Sequence, residues 1–170
     1  CSNHNGQFTN QKGIHGFWES RVPELLAEKE FDFFIGKAEY IKNPGDFIWK
    51  RVLESARAAD TVLSAERELS LLFSDDRKYA FEERNEKTIR QYSTAFTIAY
   101  DKKLGGMVER RMRQSIFAIA SFWYTAWVNA GQPVLRDLVK HKFPETDQAA
   151  FEELNKQWRL GGKMIGREEQ

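Results

Sequence analysis

Apolar residues recur at helical spacing through most of the chain. Asn43-Pro44 pairs a capping side chain with a residue pre-set for a first helical turn. From there to about Phe73, Ile48, Val52, Ala56, Ala59 and Leu63 return every three or four positions. Arg51, Glu54, Arg57 and Glu66 fall between them on the wetter side. Ser74-Asp75-Asp76 reads as a turn and a cap. The period resumes from Arg77 to Leu104 through Ile89, Tyr92, Phe96 and Ala99, until Gly105-Gly106 breaks it. Met107 to Asn129 is apolar around most of its circumference, which predicts a central helix with Trp123 buried in it. Its first turns carry Arg110, Arg111 and Arg113, expected to pair with Glu109 at a solvated end or to meet an anionic partner. Ala130-Gly131-Gln132-Pro133 stops it. A short amphipathic piece follows (Val134 to Val139), then an exposed helix from about Thr146 to Arg159. At the other end, polar residues 1–13 predict a loop, and a short helix begins near Gly13. Pro23 predicts a fresh turn there, because it disfavours a helical residue just before it. Residues 31–43 fit either a short strand or a buried helical turn. The expected fold class is all-α: a bundle of four or five helices with little or no sheet.

The totals narrow the function classes. With 26 basic and 25 acidic residues, the net charge of +1 gives no global field toward nucleic acid or an acidic membrane. The 170 residues suffice for one core, and a 14% aromatic share makes it dense. The single cysteine, Cys1, excludes an intrachain disulfide. Its position before Ser2 fits either a lipidated N-terminus or an internal cysteine.

One constellation carries chemistry. In His15-Gly-Phe-Trp-Glu19 the imidazole and the carboxyl sit at i and i+4, on one helix face, with Cβ atoms roughly 5–6 Å apart. Both groups suit zinc, at ligand distances of about 2.0–2.2 Å. The same spacing also makes an ordinary surface pair. A closed zinc site takes about three or four protein ligands. His4 and His141 are the only other imidazoles, and no second tight His/Asp cluster stands beside the pair.

The stretch NGQFTNQKGIHGFWES resembles a metal-ligand block of the zinc-dependent phospholipase C and single-strand nuclease superfamily: a Gly-rich polar loop, then a His-x-x-Trp-Asp type helix. His15, Trp18 and Glu19 fill the slots in order, with Glu in place of the commoner Asp. SFWYTAWVNAGQPVLRDL resembles the closing helix of that family, through Trp123, Trp127, Ala130, Gly131 and Leu135. FWESRVPELL and LGGMVERRMR are similar to a bacterial envelope branch. The resemblance spans roughly residues 4–139, so residues 1–139 are expected to be the C-terminal part of a zinc-dependent phosphodiesterase domain. Residues 140–170 are expected to add an exposed C-terminal helix and tail.

The resemblance implies an all-helical fold and a site of up to three Zn2+ ions. His15 and Glu19 would be ligands of one zinc, and Trp18 would pack behind them. It further implies ligand blocks upstream that this chain does not carry. Cys1 is then expected to be internal, and the N-terminal half of the same protein to be missing. The implied activity is zinc-dependent hydrolysis of a phosphodiester, either a phospholipid headgroup or single-stranded nucleic acid, with the chain alone inactive. The family is usually exported, and no stable protein partner is expected. Phe17 is expected in the core; Phe8 and Arg110 to Arg113 are candidates to face substrate. The alternative is a non-enzymatic helical envelope lipoprotein or interaction module.

Overall fold

The first helical stretch is assembled from three consecutive pieces: α1 (Ile14–Gly16), a π-helical turn (Phe17–Arg21) and α2 (Val22–Glu30). A computed structural model of the chain describes residues 6–84, 86–138 and 144–159; Cys1, His4, Asn5 and His141 lie outside them. Helix α2 does begin beside Pro23, which sits in its first turn, but without a break from helical conformation before it. Val22 keeps helical angles (φ −63°, ψ −51°), and its N–H donates to Phe17 O, five residues back. Proline lacks an N–H, and its ring crowds the carbonyl four residues earlier, here that of Glu19. A widened turn ahead of it accommodates both effects.

Residues 31–43 form neither strand nor helix. They run along α6 (Met107–Asn129), whose side chains accept three of their N–H groups. Glu39 N donates to Ser121 Oγ (3.1 Å) and Ile41 N to Thr125 Oγ1 (2.8 Å). At the other end of the strap, Asp32 N donates to Glu109 Oε1 (2.9 Å), and the Arg113 guanidinium reaches Phe34 O (3.1 Å). An extended segment that satisfies its backbone through helix side chains can look strand-like in sequence without pairing as a strand.

Helix α3 (Pro44–Ser70) starts where the cap predicts: Asn43 Oδ1 accepts from Asp46 N at 3.2 Å. Its apolar pattern is buried only toward the C-terminal end, at Ala65 and Leu69. Ile48 and Val52 are exposed, and Glu66, placed by its spacing on the wet side, is buried.

The all-α expectation is overturned at residues 79–92. After a short helix, α4 (Asp75–Lys78), strands β1 (Tyr79–Arg84) and β2 (Lys87–Tyr92) form an antiparallel hairpin, with Tyr79 opposite Tyr92 and Arg84 opposite Lys87. The fold is therefore mostly helical with a two-stranded sheet. Aromatic and β-branched residues (Tyr79, Phe81, Thr88, Ile89, Tyr92) suit a pleated surface better than a helix. The helical spacing from Ile89 to Ala99 crosses a real boundary, because Tyr92 ends the strand and joins the same core as Phe96. Ser93 then caps α5 (Thr94–Lys103), its Oγ accepting from Phe96 N at 3.2 Å.

The core gathers Ile14, Phe17, Val22 and Leu26 from the first stretch, Ala65 and Leu69 from α3, Tyr92, then Phe96, Tyr100, Leu104 and Val108. Helix α6 contributes Val108, Ser121 and Thr125 as its buried residues. The expectation of a central α6 with a buried Trp123 is overturned: Trp123 is 75% exposed. The stripe that faces the strap consists of small hydroxyl residues, and this turns the large aromatics outward. Trp123→Ala is accordingly expected to change the free energy of unfolding, measured in urea, by less than about 1 kcal/mol.

Contacts divide the chain into Cys1–Gly131 and Gln132–Gln170. The second unit holds α7 (Leu135–Leu138) and α8 (Glu145–Arg159). In α8, Glu145 and Asp147 occupy the first turn and Lys156 and Arg159 the last, which complements the helix dipole. Among the described residues no helix is long and apolar enough to cross a membrane.

Candidate metal centre

The polar loop that leads into α1 is a tight turn built on Gly6. Its carbonyl accepts from Thr9 N (3.2 Å) and Gln11 N (3.0 Å), and its φ is 76°. A Cβ at Gly6 would lie 1.8 Å from Gln11 O, so only glycine fits. Gln11 then starts the helix, its carbonyl accepting from Ile14 N at 3.1 Å. Its side chain is buried, with Nε2 donating to Leu63 O (2.7 Å) and Glu66 Oε2 (2.6 Å) on α3.

Glu66 is the hub of this attachment. Lys78 Nζ lies 2.8 Å from its Oε1, and Ser70 Oγ (2.9 Å) and Tyr92 OH (3.2 Å) donate to the same oxygen. Burial pushes the Glu66 carboxyl up. The hydrogen bonds from Lys78, Gln11 and Ser70, with the Lys78 charge, outweigh it and hold the group below its ordinary value. Burial pushes Lys78 down, and Glu66 more than reverses this. Burial and the Glu66 charge push the Tyr92 hydroxyl well above the usual tyrosine range.

The helical stretch that follows is fixed from its inner side. Phe17 is buried, as expected, and stacks on Tyr92 with ring centroids 3.9 Å apart. Arg21, also buried, grips the hairpin: Nε donates to Tyr92 O (3.2 Å), while Nη1 and Nη2 form a two-pronged contact with Glu82. The Arg21 hydrogen bonds hold the Glu82 carboxyl below its ordinary value.

With Phe17, Arg21 and Val22 turned inward, His15 and Glu19 face out together. His15 Nε2 lies 3.0 Å from Glu19 Oε2, and the two side chains are 40% and 34% exposed. Ligand bonds of about 2.0–2.2 Å at a tetrahedral angle separate two donor atoms by roughly 3.3 Å. The pair thus needs to open only slightly to hold one zinc; undisturbed, it is a His–Glu ion pair or hydrogen bond. Trp18 packs against the core, its Nε1 buried with no hydrogen-bond partner among the described residues.

No group of three or more His, Cys, Asp or Glu that could hold a metal exists among the described residues; His15 and Glu19 stand as a pair. The other sequence candidates separate from it. Phe8 is exposed in the loop. Arg110, Arg111 and Arg113 pair not with Glu109 but with Gly105 O, Glu54 and the 31–43 strap respectively. Sequence spacing missed Arg21 and Glu66. The signal available for both was a charged residue placed among apolar neighbours at core spacing.

Comparison with protein-family models, curated proteins and solved structures finds no match to this chain.

Proposed function

We propose that this chain supplies one His/carboxylate arm of a zinc-dependent phosphodiester hydrolase of the phospholipase C or single-strand nuclease type. His15 and Glu19 are its ligands to one zinc. The observation that carries the reading is their 3.0 Å approach on the exposed face of a helix braced by Phe17, Arg21 and Gln11. A π-helical turn lies within that motif, and such turns concentrate at functional sites. The motif's resemblance to the family's ligand block names the metal. The remaining ligands belong to other parts of the complete hydrolase, and the substrate is a phospholipid headgroup or single-stranded nucleic acid in an exported setting.

A zinc ion held there would supply Lewis-acid chemistry toward a phosphodiester. The chain's own residues would act by position: His15 and Glu19 would hold the ion, while Gln11 and Glu66 fix the entry to their helix and Arg21 locks its far side to the hairpin. Zinc titration against a competing chromophoric chelator tests this. His15→Ala and Glu19→Ala are each expected to weaken binding about tenfold or more. Neither should move the thermal midpoint appreciably, because both side chains are on the surface. Equal zinc affinity in wild type and both variants refutes the assignment.

The apolar side chains exposed on α3 and α6, such as Trp49, Leu53, Ile119 and Trp123, favour a second reading, a helical interaction module without chemistry. It requires His15→Ala to leave zinc binding unchanged.

A further inference from the structure

We infer that the groove between the middle of α3 and the first turns of α6 binds a phosphate group, free or carried on a small molecule, independently of the metal pair. The groove has a volume of about 370 Å³. Arg57 enters it from α3; Arg110 and Arg111 enter from α6, with Met107 beside them. Glu54 is the one carboxylate in the lining, set against three guanidinium groups. The whole chain carries only +1, so this is a local concentration of charge.

The three arginines are not equivalent. Arg111 is pre-oriented: Nη1 donates to Glu54 Oε2 (3.3 Å) and to Gln114 Oε1 (3.1 Å). Glu54 is further engaged by Arg51 Nη1 at 2.8 Å, so its charge is shared between two cations. Arg110 folds back onto Gly105 O, across the open end of α6, where Gly106 offers no capping side chain. Arg57 is exposed and has neither a hydrogen bond nor an ion pair among the described residues. One fixed fork and one uncommitted fork line the same space, beside the first turn of a long helix. Guanidinium forks match the oxygens of a phosphate two at a time. Helix N-termini add partial positive charge to the same end.

Calorimetric titration of the full chain at low ionic strength, with a metal chelator present, tests this site apart from the zinc proposal. The probes are inorganic phosphate and glycerol 3-phosphate. One-to-one binding of at least one probe is expected, with a dissociation constant on the order of 1 mM or tighter. Arg57→Gln is expected to weaken it about fivefold or more, with circular dichroism unchanged because the side chain is on the surface. Arg67→Gln, exposed on the same helix outside the groove, and His15→Ala are expected to bind like wild type. Tighter binding of glycerol 3-phosphate identifies a headgroup-type ligand, and equal binding identifies the free anion. Absence of binding by both probes overturns the inference. So does an equal loss in Arg57→Gln and Arg67→Gln, which would show a diffuse charge effect.

Discussion

Phe96→Ala is expected to destabilise the fold by about 3–5 kcal/mol. Phe96 is fully buried, and its ring meets three others: Phe73 at 5.2 Å, Tyr92 at 5.2 Å and Phe17 at 5.9 Å between centroids. The cost depends on whether the neighbours can collapse into the space left behind. Here they are restrained. Tyr100 is tied by its hydroxyl to Val62 O (3.1 Å), and Tyr92 is tied to Glu66. A cavity therefore stays open, which places the loss toward the upper part of the range. Urea unfolding followed by tryptophan fluorescence measures it, and a loss below about 1.5 kcal/mol would show that the aromatic cluster repacks. Phe17 packs beneath the helix of His15 and Glu19, so, on the proposed zinc reading, the same variant is expected to weaken zinc binding as well.

Glu66→Ala is the second large effect, expected at about 3–5 kcal/mol at neutral pH. Removing the carboxylate leaves Lys78, a half-buried cation, without its counter-charge, and it strips Gln11 Nε2 and Tyr92 OH of an acceptor. The pH dependence distinguishes this cause from simple loss of packing. The Glu66 carboxyl is held below the ordinary 4.5, so the folded state binds its proton less readily than the unfolded chain. Its contribution is complete above that value and is lost as pH falls through the lower, folded one. Lys78 is held above the ordinary 10.5, so its contribution is complete below that value and disappears as pH rises past the folded one. Wild-type stability in urea should decline on acidification below about pH 4.5 by more than that of Glu66→Ala. Parallel declines would assign the acid sensitivity to other carboxylates.

Much of the helical framework was legible in the residues. Asn43-Pro44 and Gly105-Gly106 punctuate the chain where α3 begins and α6 is about to begin, because capping and left-handed turns are local chemistry. Three features were not legible, each because a distant contact overrides a local signal. The hairpin was hidden by Tyr92, whose ring serves the strand and the helical core together. The orientation of α6 was hidden because Ser121 and Thr125 are buried for their hydroxyls, and this leaves Trp123 outside. The extended run of residues 31–43 depends on those same hydroxyls. For the site, the shared face of His15 and Glu19 follows from i,i+4 spacing alone. Its bracing does not, since Arg21 meets Glu82 and Gln11 meets Glu66 across long stretches of chain.

The strap over α6 behaves unlike a strand in a sheet. A strand that leaves its neighbour orphans a ladder of backbone groups on both sides. Here the helix would give up only side-chain partners (the Ser121 and Thr125 hydroxyls, the Glu109 carboxylate and the Arg113 guanidinium), and Thr125 Oγ1 already donates back to Ser121 O at 2.7 Å. Lifting residues 31–43 therefore exposes little unsatisfied backbone on the helix, and α6 stays intact beneath it. The segment is tied to the fold by side chains instead: Ile41 is buried and Phe31 packs against the aromatic core.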